Sequence, residues 1–134
     1  MANLLTWLDD YLIGIDEVDQ QHKYLFGLIN ETLQCDKTTK LQLSLTRLYK
    51  YTREHFNAEE ALMKDIGYSN YKEHQEQHNL LITKLNEKSS DALRDPTKRD
   101  ELDSFLVSWL VLHILGEDAD IGNFLQNNFP PQKK

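Results

Sequence analysis

The chain has 134 residues, a mass of 15.8 kDa and a formal charge of −7 with histidine counted as neutral. That length suits one domain whose core can form without covalent staples. The acidity disfavours a nucleic-acid backbone or an anionic membrane surface as partner, five Gly and three Pro are few for a loop-rich or disordered chain, and a lone Cys35 excludes an intramolecular disulfide framework and suits a reducing compartment.

Residues 1–15 carry Trp7, Tyr11, Leu12 and Ile15 with no clear period and are expected to form an extended arm packed on the rest. This start is not basic and meets Asp9 and Asp10 early, so it reads as a poor signal peptide. The longest apolar stretch, Phe105 to Leu115, is interrupted by Ser108 and His113 and is too short to span a bilayer. The expectation is a cytoplasmic protein without membrane insertion.

Four helical stripes follow. Val18, His22, Leu25, Ile29 and Leu33 mark the first helix, with Asp16 or Asp19 able to cap it. Leu41, Leu45, Leu48, Thr52, His55, Glu59 and Leu62 alternate steps of four and three, the seam of a bundle helix. Thr39 with Gln42 has capping-box spacing at its start, and Gly67 suits its C-terminal end. Tyr71, His74, His78, Leu81 and Leu85 form the third stripe, with Ser69 as a cap. Asp95-Pro96 starts the fourth, whose stripe is Leu102, Leu106, Trp109 and His113, and Gly116 weakens or ends it. The tail around Ile121, Phe124, Leu125 and Phe129 is expected as a short helix stopped by Pro130-Pro131. Short polar connections favour antiparallel neighbours. The expected fold is therefore all-α: an up-down-up-down antiparallel four-helix bundle (16–118) with an N-terminal arm (1–15) and a tail (119–134), in one domain.

All five histidines lie on these apolar stripes. A single buried histidine is ordinarily satisfied by hydrogen bonds. Five would need five separate solutions in one small core, whereas a shared metal supplies every partner at once. His74 and His78 stand at i, i+4 on one helix face, as do His55 and Glu59. Glu59 on a core seam needs a partner, since Glu is rarely buried alone; Glu60 falls off the seam and is expected in solvent. His22 and His113 add one nitrogen each. Asp118 is weaker, because five residues from His113 is roughly 140° around an ideal helix. It can join only if the helix distorts or ends between them, and Glu117 and Asp120 compete with it.

This ordered set, H, H-x-x-x-E, H-x-x-x-H and H-x-x-x-x-D on four helices, resembles the bacteriohemerythrins, prokaryotic relatives of hemerythrin and myohemerythrin. The resemblance runs from Trp7 and Gly14-Ile15-Asp16 through Asp19-Gln20-Gln21-His22, His55-Phe56-Asn57-Ala58-Glu59 and His74-Gln75-Glu76-Gln77-His78 to His113-Ile114-Leu115-Gly116-Glu117-Asp118. It implies a non-haem di-iron centre. One iron would take His74, His78 and His113, the other His22 and His55. Glu59 and Asp118 would bridge them together with an oxo or hydroxo group, and the family's spacing includes Asp118. The iron with fewer histidines would bind O2 end-on, as a hydroperoxide at a five-coordinate position. Leu25 and Ile114, with Phe26 and Trp109, would wall that position.

The resemblance thus implies reversible O2 binding, as carrier, store or buffer, rather than enzymatic turnover; azide and nitric oxide are further ligands of such a centre. A di-iron redox enzyme reducing peroxide or nitric oxide, and an oxygen or redox sensor acting through a partner chain, are the alternatives. Ferritin-like di-iron enzymes use Glu-x-x-His pairs, and this sequence has none. A nitrogen-rich, carboxylate-poor site is expected to favour binding over oxygen activation. Because the ligands must be neutral imidazoles, metal affinity is expected to fall as pH drops below about 6.5.

Overall fold

The computed structural model describes residues 5–128, the side chains of residues 110, 111, 114 and 115 excepted. Its helices are α1 (Asp16–Gln34), α2 (Thr38–Asp65), α3 (Tyr71–Arg94), α4 (Arg99–Leu112) and α5 (Ala119–Asn128), with a π-helical segment at His113–Asp118 joining the last two. The described residues contain no strand. Each of α1 to α3 packs along the next, and α4 returns to α1. With connections this short, the result is the antiparallel four-helix bundle expected from the stripes. No described helix is long and apolar enough to cross a membrane. The Phe129 and Pro130-Pro131 end of the expected tail helix lies outside the described residues, as does the side chain of Ile114.

Up-down order decides what meets at each end of the bundle. The end of α1, the start of α2, the end of α3 and the start of α4 meet in one apolar core. Leu25, Ile29, Leu48, Leu85, Leu102 and Leu106 are at most 3% exposed there. Each such side chain contributes about 1.5–3 kcal/mol on burial. Towards the other end lie the start of α1, the end of α2, the start of α3 and the π-helical segment, where the histidines are. Beyond them α5 closes the bundle through a second cluster of Met63, Tyr68 and Ile121.

The helix ends are held mainly by tertiary partners. Asp19 does not cap α1; buried, it accepts the Ile13 N–H at 2.8 Å and ties the arm to the helix. Neither Thr39 nor Ser69 caps: α2 and α3 begin after Lys37 and Asn70, with no side-chain cap hydrogen bond. Asp95 does cap, accepting from the Thr97 N–H at 3.0 Å and its hydroxyl at 2.8 Å, but the turn it caps is a 3₁₀ turn, Pro96–Lys98, leading into α4. Gly67 ends α2 as expected. At φ 67° it lets Gly67 N–H reach Lys64 C=O and Tyr68 N–H reach Met63 C=O, a Schellman motif. The C-terminal carbonyls of α1 are met from α4, where Arg99 donates to Cys35 C=O at 2.6 Å and Thr32 C=O at 2.7 Å while Asp103 accepts from its Nε.

Residues 5–15 lie on the bundle and contain a 3₁₀ turn at Asp9–Tyr11. The Asn30 carboxamide both accepts from Leu5 N–H and donates to Leu5 C=O. Trp7 packs edge-on to Phe26. A Cβ at Gly122 would overlap the Ile13 carbonyl, so the glycine lets α5 sit directly on the arm.

Candidate metal centre

Four segments deliver the seven predicted side chains to one point. The α2 pair His55/Glu59 and the α3 pair His74/His78 face inward on successive turns. His22 comes from the first turns of α1. The π-helical segment accounts for Asp118: i→i+5 hydrogen bonding widens the turn, so Asp118 Oδ1 lies 2.9 Å from His113 Nε2. Gly116 therefore sits in a widened turn, and the chain continues helically into α5.

The geometry divides into two halves that share both carboxylates. Glu59 Oε1 lies 3.0 Å from His74 Nε2, 3.0 Å from His78 Nε2 and 3.8 Å from His113 Nε2. Glu59 Oε2 lies 3.0 Å from His55 Nε2 and 3.6 Å from His22 Nε2. Asp118 repeats the division: Oδ1 faces His74 and His113, and Oδ2 lies 2.8 Å from His22 Nε2. His74, His78 and His113 thus form one group with the carboxylates, and His22 and His55 the other, with all donor atoms in a group within 4.8 Å of one another. Glu59, Asp118 and His22 are completely buried.

A closed hydrogen-bond network does not account for this cluster. The Nε2 atoms of His22, His55 and His113, Oε2 of Glu59 and both oxygens of Asp118 are buried without a hydrogen-bond partner. Orphaned lone pairs converging from nitrogen and oxygen are what a bound cation satisfies. In the ion-free chain protons take that part. Burial alone would lower His22 and His74, but Asp118 and Glu59 outweigh it and push both up to about 9. His113 is likewise raised, Asp118 prevailing over burial. Burial works to raise Glu59 and Asp118, and the facing imidazoles hold both below the usual carboxylate range instead.

The side chains behind the ring were less visible in the sequence. Glu60 is not left to solvent. Only 17% exposed, it accepts from His78 Nδ1 at 2.9 Å and from Gln75 Nε2 at 3.0 Å. Gln21 Oε1 lies 2.6 Å from His55 Nδ1, and Glu117 Oε2 lies 3.1 Å from His113 Nδ1. The available signal was adjacency, since each carries a hydrogen-bonding group one residue from a predicted donor. Phe56 was also missed as a wall: its ring stacks on His78 at 3.8 Å. Leu25, Phe26 and Trp109 are buried. Trp109 packs edge-on to Phe56, whereas the rings beside Phe26 are Trp7 and Tyr11 of the arm. Tyr71 has Lys64 over its ring, and Tyr68 packs edge-on to His74.

Comparison with known proteins gives the family and the fold. The family described as "Hemerythrin HHE cation binding domain" matches residues 13–125. A bacteriohemerythrin of Clostridium acetobutylicum is 31% identical over 127 residues, covering 87% of this chain and 98% of that protein. One from Pseudomonas paraeruginosa is 34% identical, covering 86% and 77%. A hemerythrin-like protein of Naegleria gruberi is 33% identical, covering 84% and 87%. A crystal structure of a hemerythrin point mutant superposes with a TM-score of 0.79 at 24% identity, covering 93% of this chain and 98% of that one, a likeness of fold.

Proposed function

The chain belongs to the hemerythrin family, and from that premise we propose that it binds O2 reversibly at a non-haem di-iron centre, as a carrier, store or local buffer. His74, His78 and His113 would hold one iron and His22 and His55 the other, with Glu59 and Asp118 offering one carboxylate oxygen to each. The observation that carries the reading is the division of each carboxylate between the two groups: Glu59 turns one oxygen towards three histidines and the other towards two, and Asp118 turns one towards His74 and His113 and the other towards His22. The half with two histidines is one donor short, which leaves a position for a small ligand.

The irons, when bound, supply the electrons and the open position that O2 requires. The chain supplies the rest. Its imidazoles turn Nε2 inward, with the Nδ1 atoms of His55 and His78 engaged by Gln21 and Glu60. The apolar core on one side and the Met63, Tyr68 and Ile121 cluster on the other keep bulk water from the centre. The titratable groups of the described residues that converge inside the centre are all metal donors, while Glu60, Glu117 and Tyr68 meet the histidines from outside it, which favours binding over turnover. Nitrogen and oxygen donors also accept zinc, copper or nickel, so the test must be specific to iron. Reduced, iron-loaded protein should gain a ligand-to-metal absorption band in air and lose it under argon, over repeated cycles. An iron-loaded chain with an O2-indifferent spectrum overturns the proposal.

A further inference from the structure

The two halves of the centre differ behind the histidines as well as in their number. In the three-histidine half, His78 Nδ1 is hydrogen-bonded to the Glu60 carboxylate at 2.9 Å, while His113 Nδ1 lies 3.1 Å from Glu117 without making a hydrogen bond. In the two-histidine half, His55 Nδ1 meets the neutral carboxamide of Gln21, and His22 Nδ1 is buried without a hydrogen-bond partner. Glu60 is the best anchored of these groups. One oxygen accepts from His78 Nδ1, and the other accepts from Gln75 on the same face of α3. A carboxylate on the outer nitrogen fixes the tautomer, leaves Nε2 as the donor atom and makes the imidazole more basic. His78 is also clamped sterically, with Phe56 stacked on its ring.

We propose that Glu60 is a positioning residue of the metal centre, acting through His78, and that it makes the three-histidine half the position that binds its metal first and releases it last. This rests on the two-metal reading above. Its effect on the centre passes through one imidazole, that of His78.

Co(II) is the probe, because its visible bands report coordination without redox chemistry. It is titrated into the metal-free full-length chain and into Glu60→Ala, Glu60→Gln, His78→Ala and the His78→Ala/Glu60→Ala pair. The wild-type chain should fill in two steps. Glu60→Ala should weaken the tighter step by about 10- to 100-fold. Glu60→Gln, which keeps an acceptor but loses the charge, should fall between the two. In the His78→Ala background, Glu60→Ala should change the affinity by less than about threefold, because the partner through which it acts is gone. Equal losses with and without His78, or a tighter step unchanged in Glu60→Ala, would overturn the proposal. Should Glu60→Ala fail to fold, Gln75→Ala frees the second oxygen of Glu60 and must weaken the same step. A wild-type chain that binds fewer than two metal ions overturns the two-metal reading itself, a result distinct from any outcome of the Glu60 series.

Discussion

Glu59 and Asp118 are buried carboxylates whose cost is offset by the imidazoles around them. Without metal that compensation needs protons on the imidazoles, and so has a definite pH dependence. His22 and His74 stand at about 9 in the folded chain against an ordinary value of about 6.5. Their contribution to the metal-free fold is fully present below about 6.5 and is lost as pH rises through about 9. Glu59 and Asp118 are lowered, so theirs is present above the ordinary carboxylate range and lost as pH falls below it. Thermal melts of the metal-free chain should therefore fall by several degrees between pH 6.5 and 9.5, while those of the metal-loaded chain should not. A flat metal-free profile would contradict the raised histidines. The same protons compete with metal, so affinity should keep rising up to about pH 9, beyond the pH near 6.5 that unperturbed histidines would imply. His74→Ala should lose most of one iron per chain, whereas Tyr24→Ala, at an exposed ring, should keep the wild-type content; equal iron in both would contradict the donor assignment.

Six of the seven inward side chains were legible in the sequence because titratable groups on apolar seams are costly and conspicuous; Asp118, off the seam of an ideal helix, entered only through its spacing in the family. Glu60 was not legible, because a helical wheel places Cβ atoms and not the ends of long side chains. Glu60 leaves its helix off the seam yet reaches His78 and Gln75 on the neighbouring helix.

At the scale of elements, the stripes gave the four long helices but misassigned several of their ends. Asp19, Thr39 and Ser69 have the chemistry of caps, and none caps its helix. Asp19 is taken by the arm, a contact that local sequence does not encode. Arg99 gives the complementary lesson, since it meets the end of a helix more than sixty residues away in sequence. Arg99→Ala should cost about 1.5–3 kcal/mol, from hydrogen bonds to a charged group, read as a shifted denaturation midpoint at unchanged slope. A shift below about 0.5 kcal/mol would mean that water replaces the guanidinium freely. The π-helical segment is the element with most consequence for the site. An ideal helix would turn Asp118 away from His113, and spacing alone could not say whether Gly116 ends the helix or the turn widens. The turn widens, and α5 continues beyond it as a lid.

At the scale of the whole molecule, the centre lies between two apolar clusters, the bundle core and the smaller one beneath α5. In such surroundings, charge that would be solvated in water has to be matched locally. Of the acidic groups behind the overall charge of −7, Glu59 and Asp118 are thus matched inside by histidines, or by metal, and the buried Asp19 and Asp103 by the Ile13 N–H and Arg99. The account's central claim is a dinuclear O2-binding centre in each chain. The measurement that tests it most directly is iron content and O2 release on one sample of reduced, reoxygenated protein. The account predicts two irons per chain and one O2 released under argon for each iron pair. Two irons per chain with no recoverable O2, or a chain that retains fewer than two irons, would contradict it.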